Sequence, residues 1–342
     1  MGKRHLSQQQ KQRIRSIQAK RLERANERVR RLEEELDERS LGPDSTGQVI
    51  VHHGSHLIIE DHAGDEVRCF SRQNLGSVVC GDHVVWQETE PGHGVVTAVQ
   101  DRSSILSRPV FDGQNKPLAA NIDRIVIIAA VVPELSEFLI DSYLVAAELT
   151  GIQPVIALNK VDLLNADELD ALLERLQPYE DLGYNLFTTS HIQQEGLEQL
   201  RRILTDHVSI LVGQSGVGKS SLIRALIPHL EIRVGEISEA TGFGRHTTSS
   251  TMLYHLESGG DLIDSPGVRQ FRLSEMPEDR LLHGFVEFRE WVGHCQFANC
   301  QHRQEPGCAL RQAVADGQID QRRLDSYHRL VEANATIAKR PN

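Results

Sequence analysis

The segment Gly213-Gln214-Ser215-Gly216-Val217-Gly218-Lys219-Ser220 restricts this chain more than any other. It follows the apolar run SILV (209–212) and precedes SLIRALI (221–227), so it lies between a strand and a helix. Glycines at 213, 216 and 218 let the backbone turn its N–H groups inward around a phosphate. The helix that begins there adds partial positive charge. In a loop of this pattern Lys219 reaches the β- and γ-phosphates and Ser220 ligates Mg²⁺, with Ser221 beside them among the candidate nucleotide-binding residues.

The flanking sequence carries the sheet that such a loop requires. IVIIAAVV (125–132) and PVIAL (154–158) are continuous apolar runs, and NLFTTS (185–190), MLYHLE and DLIDS are shorter ones. Helical periodicity separates them over about 136–150, 166–177 and 219–228, with a further helix ahead of SILVG. Apolar strands alternating with helices predict a mostly parallel sheet covered on both faces. Asn159-Lys160-Val161-Asp162 ends the run PVIAL, where open sheets bind ligands. Guanine alone offers N1–H and an N2 amine side by side, and one carboxylate accepts from both. Adenine leaves that carboxylate unpaired, at a cost of about 1–3 kcal/mol or more. Asp162 is therefore the candidate guanine reader; Asn159 is expected to tie neighbouring loops and meet N7, and Lys160 to cover the ring. Thr189 and Ser190, at the end of NLFTTS, are placed to support the base.

Asp264-Ser265-Pro266-Gly267 ends another apolar run; Asp264 reaches Mg²⁺ through water and the Gly267 N–H meets the γ-phosphate. Between it and the phosphate loop, Gly242-Phe243-Gly244-Arg245-His246-Thr247-Thr248 reads as a glycine-hinged switch, with Thr248, or Thr247 beside it, completing the magnesium shell. The residue after Gly267 is Val268, which cannot orient a water as a glutamine would. His246 is the candidate for that task. The order along the chain is base reader, base support, phosphate loop, first switch, second switch. Five loops in that order meet at one sheet edge only if the domain is circularly permuted.

Upstream, residues 47–107 hold about five short runs with partial alternation, divided by Gly and Asp, which predicts a small antiparallel barrel of OB type. Phe70 and Trp86 are its few aromatics and suit its core as well as a nucleic-acid face. Residues 6–38 read as one helix with a thin apolar stripe through Leu22, Ala25, Val29, Leu32 and Leu36. Residues 1–31 carry eleven Lys or Arg against two Glu, on a chain whose net charge is −11. A basic arm on an acidic body points to a polyanion, RNA first. No apolar run approaches the roughly 20 residues that cross a bilayer, and MGKRHLSQQQ lacks the apolar stretch of a secretion signal, so a cytoplasmic protein is expected. Past residue 276 the sequence shows no strand but a cluster, Cys295-x4-Cys300-x-His302-x5-Cys308, followed by helices from about 310. Three thiolates and one imidazole suit a closed tetrahedral zinc site, structural because no position is left for water. His294 is the alternative nitrogen ligand. Cys69 and Cys80 are expected as free, buried thiols.

Taken together, GQSGVGKSS, GRHTT, DSPGV, NKVD and the cysteine–histidine cluster resemble the bacterial small-ribosomal-subunit-dependent, circularly permuted GTPases, the ribosome biogenesis GTPase A family, over about residues 45–325. The resemblance implies a basic N-terminal helical extension (1–44), an OB barrel (45–109), a permuted α/β P-loop GTPase domain (110–275) and a zinc-binding helical region (276–342). It implies GTP or GDP with Mg²⁺ and one structural Zn²⁺ as cofactors, and the 30S subunit and its 16S rRNA as partners. It further implies release of an assembly factor late in 30S maturation and GTP hydrolysis stimulated by that particle. His246 matches the switch histidine considered catalytic in the family, acting with Lys219, Thr248 and Gly267. Gly216 stands where related permuted GTPases carry an Asn used for potassium. The basic arm is expected on rRNA phosphates through Arg13, Arg15, Lys20, Arg21, Arg24, Arg28, Arg30 and Arg31. A monomer is expected, with neither DNA nor membrane as partner. Val268 keeps a second reading open, a ribosome-binding module whose nucleotide tunes affinity with negligible turnover.

Overall fold

The computed structural model describes residues 41–53, 56–72, 75–109, 115–190, 192, 196–229, 251–264 and 278–338. The helix expected over 6–38, and the basic residues on it, lie outside the described residues.

The first five strands, β1 (Asp44–His53), β2 (His56–Asp61), β3 (Glu66–Ser71), β4 (His83–Glu90) and β5 (His93–Val99), close a ring in the order β1-β2-β3-β5-β4-β1. Only the β3–β5 contact is parallel. This is a five-stranded OB-type barrel. Alternation builds it: on β3, Val67 and Cys69 point inward while Glu66 and Arg68 face solvent. Val49, Leu57, Ile59, Val84, Trp86 and Val96 complete the barrel core. Trp86 is a core residue, and Gly94 makes room for it, because a Cβ there would meet the indole at 2.7 Å and Cys69 Sγ at 2.9 Å. A register shift between Val49 and Val51 lets β1 bend out of the barrel.

A hairpin, β6 (Ile105–Pro109) and β7 (Asn115–Ala120), follows the barrel. The sequence reading did not anticipate it. Pro109 and Pro117 lie within it and argue against strands on their own, but a two-stranded ribbon has edges that tolerate proline. Leu106, Leu118 and Ala119 bury it in the main core.

The α/β sheet comprises β8 (Arg124–Ala130), β9 (Gln153–Asn159), β10 (Asn185–Thr189), β11 (Val208–Val212), β12 (Thr251–His255) and β13 (Asp261–Asp264) in the order β10-β9-β8-β11-β13-β12. All neighbours are parallel except β12–β13. Strand β8 carries six buried residues in a row, the mark of a strand covered on both faces. Helices α1 (Glu137–Thr150), α2 (Ala166–Asp181), α3 (Leu197–Leu204) and α4 (Lys219–Leu226) cover it. Helix α3 buries Leu197, Leu200, Ile203 and Leu204, each worth about 1.5–3 kcal/mol when fully removed from water. A reciprocal Asn165–Glu168 capping box starts α2. Its expected end at 177 moves to Asp181; Pro178 lies within the last turn, where it forgoes one helical N–H bond without ending the helix.

The chain enters this sheet at β8, steps outward through β9 to β10, then returns to place β11 on the other side of β8. The crevice between β8 and β11 is the topological switch point. The sheet does not stop at β12: Val51 and His52 of β1 pair with Met252 and Thr251, so one eleven-stranded sheet runs from the α/β region into the barrel.

Residues 278–338 hold α5 (Glu278–His283), a 3₁₀ segment (Val286–Trp291), α6 (Ala309–Ala315) and α7 (Gln321–Ala338), with no strand among the described residues. Phe285 stacks on Phe288 at 4.7 Å and Tyr327 meets both edge-on. Arg323 of α7 is buried and reaches Asp141 of α1 at 2.6 Å and Glu287 at 2.6 Å, with Tyr179 of α2 donating to the same Asp141 oxygen at 2.8 Å. Among the described residues, no helix is long and apolar enough to cross a membrane.

Candidate functional site

Because β8, β9, β10, β11 and β13 are parallel, the loops at their C-terminal ends emerge on one edge. Asn159 ends β9 and is buried; its Nδ2 donates to the carbonyl of Val217 at 2.8 Å. That bond joins the Asn159–Asp162 loop to the phosphate-loop segment. Lys160 takes a left-handed φ of 65°, and its Nζ donates to Gly216 O at 2.6 Å and Val132 O at 2.7 Å. The β8 loop, the β9 loop and the β11 loop are thereby tied together. Ser190 Oγ, directly after β10, donates to Asp162 Oδ1 at 2.5 Å and fixes the carboxylate. Thr189 and Ser190 are both fully buried beside it.

The phosphate-loop segment lies against this assembly. Gly218 has φ 103°, and a Cβ there would meet Asn159 Nδ2 at 2.3 Å, so glycine is required both by conformation and by space. Gln214, Ser215, Gly216 and Ser220 are exposed, while Gly213, Val217 and Lys219 are buried. In the first turn of α4 the N–H groups of Ser221 and Leu222 both bond to Gly218 O, and the turn lies at the positive end of the helix dipole. Lys219 Nζ donates to Gly213 O at 2.6 Å and Gln214 O at 2.7 Å, so the ammonium sits inside its own loop. Asn159 Oδ1 is buried without a hydrogen-bond partner. An orphaned acceptor of this kind, next to a loop that only glycine can form, fits a polar ligand seated against both loops. Asp264 ends β13, the neighbour of β11, on the same edge. His246, Thr247, Thr248 and Gly267, the expected switch residues, lie outside the described residues, as does Val268.

A second cluster forms within residues 278–338. The ligand atoms of Cys295, Cys300, His302 and Cys308 all lie within 4.8 Å of one another. His302 Nδ1 is 3.5 Å from Cys295 Sγ and 3.4 Å from Cys308 Sγ. A tetrahedral zinc with bonds of about 2.3 Å to sulfur and 2.0–2.1 Å to nitrogen spaces such atoms about 3.5 Å apart, so the donor set fits that metal. His294, the alternative ligand, is exposed and outside the cluster. Cys69 and Cys80 are buried free thiols.

Two polar groupings escaped the sequence reading. One is the buried Arg323–Asp141–Glu287 network described above. In the other, His255 of β12 has Nδ1 2.6 Å from Asp261 Oδ1 on β13 and Nε2 2.8 Å from Glu60 Oε1 on β2. Asp261 lies opposite His255 on the same β12–β13 hairpin, whereas Glu60 comes from a remote part of the chain that no local spacing signals.

A strand–glycine loop–helix at the switch point of a parallel sheet, with a second loop hydrogen-bonded to it from β9, defines a P-loop nucleotide-binding protein. The strand connectivity makes it a permuted one, carried beside a barrel. The profile of the RsgA GTPase family matches residues 99–274, and the chain belongs to that family. It is 49% identical over 334 residues to the small ribosomal subunit biogenesis GTPase RsgA of Pseudomonas aeruginosa, covering 97% of this chain and 98% of that one. It is 49% identical over 342 residues to the protein of the same name from Chromohalobacter salexigens, covering 98% and 100%. Among solved structures, YjeQ from Thermotoga maritima superposes with a TM-score of 0.70 at 30% identity, over 87% of this chain and all of that one. YloQ, described as a circularly permuted GTPase, superposes with a TM-score of 0.66 at 29% identity, over 88% and 97%.

Proposed function

We propose that this protein hydrolyses GTP and uses the nucleotide state as a switch in late maturation of the 30S ribosomal subunit. The observation that carries the reading is the Asn159–Val217 bond, which makes a guanine-type loop and a phosphate loop one unit in a member of the RsgA GTPase family. In this reading Asp162 accepts from guanine N1–H and N2, held by Ser190 with Thr189 behind it. Asn159 meets N7 and the Lys160 stem covers the ring. The N–H groups of Gly213–Ser221 wrap the phosphates and Lys219 turns from its own carbonyls to the β- and γ-oxygens. Ser220, Thr248 (or Thr247) and, through water, Asp264 hold Mg²⁺, whose charge supports the leaving phosphate. The Gly267 N–H meets the γ-phosphate and His246 orients the attacking water.

Cys295, Cys300, His302 and Cys308 hold a structural zinc. The N-terminal arm grips 16S rRNA phosphates, and the particle's occupancy by an assembly factor changes with nucleotide state. The names of the P. aeruginosa and C. salexigens relatives support the ribosomal assignment. Single-turnover GTP hydrolysis with and without purified 30S subunits tests it: stimulation by 30S is expected, and nucleotide binding without stimulation overturns it. In the same assay Asp162→Asn is expected to weaken GTP binding by about 10- to 100-fold, from loss of a charged acceptor; unchanged binding rules out the guanine assignment.

A further inference from the structure

Strands β12 and β13 are the strand pair that lies between the two switch segments in the chain. β12 begins at Thr251, shortly after Thr247 and Thr248, and β13 ends at Asp264, shortly before Gly267. The barrel holds this pair at both ends of β12. At one end the backbone of β1 pairs with Thr251 and Met252. At the other, the His255 ring stands between Glu60 on the barrel strand β2 and Asp261 on β13, at 2.8 and 2.6 Å. Two carboxylates can only accept, so both ring nitrogens must donate, and the ring in this arrangement is an imidazolium. Burial is partial, with His255 39%, Glu60 22% and Asp261 19% exposed, which makes the clamp breakable without opening the core.

We propose that His255 is a positioning residue that, through Glu60, locks the barrel onto the β12–β13 pair, so that a ribosomal particle gripping the barrel accelerates hydrolysis by holding that pair in register. The inference rests on the ribosome-stimulated reading above. It places the transmission of stimulation at a side-chain clamp between barrel and sheet. Among the described residues, the nucleotide-loop hydrogen bonds run through Asn159, Lys160, Ser190 and Lys219 and not through His255 or Glu60, so nucleotide binding and basal turnover are expected not to depend on them.

The test uses the full chain with saturating 30S subunits and compares wild type, His255→Ala, Glu60→Gln and the double variant. The stimulated rate at saturation is expected to fall about 2- to 5-fold in each single variant, the scale of one solvent-screened ion pair. The double variant is expected to fall no further than His255→Ala, and the basal rate to stay within about twofold. If only the 30S concentration for half-stimulation moves while the saturated rate holds, the clamp merely shapes the docking face and the inference is overturned. Equal stimulation of wild type and Glu60→Gln, a near-isosteric change that preserves the strand, overturns it as well. Absence of stimulation in the wild type is a different result: it defeats the ribosomal reading rather than the clamp alone.

Discussion

The barrel and the C-terminal helical region are joined to the same α/β sheet by opposite means. The barrel joint combines a short backbone ladder, the buried side chains of Ile50, Val51 and Ile58 in the main core, and the His255 clamp, which is partly open to water. The C-terminal joint is a buried guanidinium: the Arg323 side chain is 4% exposed, between Asp141 at 1% and Glu287 at 7%, with its cation over the Phe285 ring at 4.6 Å. A solvent-screened clamp contributes little and can open. A buried ion triad contributes little relative to an apolar replacement but is very costly to break halfway. The polar contact at the barrel can therefore open on its own, whereas the polar contact at the C-terminal region cannot open without leaving buried charge. The permanent joint also lies on α1, the helix that packs on β8 and β9 of the nucleotide sheet.

The largest expected effect belongs to the metal proposed for the cysteine–histidine cluster. Zinc sites in small domains supply about 10–16 kcal/mol of apparent binding energy that is also folding energy. A strong chelator, or Cys308→Ser, is expected to melt residues 293–310, read by loss of amide protection there, while the barrel and sheet keep theirs. Retained protection after chelation would show that the cluster needs no metal. Next comes Arg323→Ala, expected to destabilise the protein by about 3–5 kcal/mol in denaturant unfolding, because two carboxylates remain buried without a counter-charge. Replacing Arg323, Asp141 and Glu287 together by apolar residues of similar volume is expected to recover most of that loss; failure of the triple variant to recover would mean that packing, not charge, makes the joint.

The smallest effect belongs to pH. The hydrogen bond to Asp261, opposed by partial burial and reinforced by Glu60, raises the His255 pKa above its ordinary value of 6.5. A raised pKa means that the folded state holds the proton more tightly. The clamp's contribution, about 1 kcal/mol or less after screening, is then complete below about pH 6.5 and is lost as pH rises through the folded-state value. Hydrogen exchange at β12, corrected for intrinsic rates, is expected to speed up from pH 6 to pH 8 in wild type more than in His255→Ala. Identical pH dependence in the two proteins would remove His255 from the joint.

Much of the nucleotide edge was legible because it is written locally. The spacing of Gly213, Gly216 and Gly218 before Lys219 reports a backbone shape that only glycine allows, and Asn159–Asp162 follows an unmistakable buried strand. The four zinc-type ligands sit within fourteen residues and were legible for the same reason. The β6–β7 hairpin was not, since its prolines carry the wrong local signal.

By itself, then, the sequence determined the parallel sheet, the barrel, the chemistry of the two ligand clusters and the permuted order of the loops, all of which follow from periodicity, turn residues and short spacings. Tertiary structure alone decided that β1 leaves the barrel to extend the sheet, that Asn159 finds Val217, and that His255 and Arg323 find acids far along the chain. The reason is physical: backbone preferences act over a few residues, whereas a charged side chain takes whichever partner the packed core brings within about 3 Å.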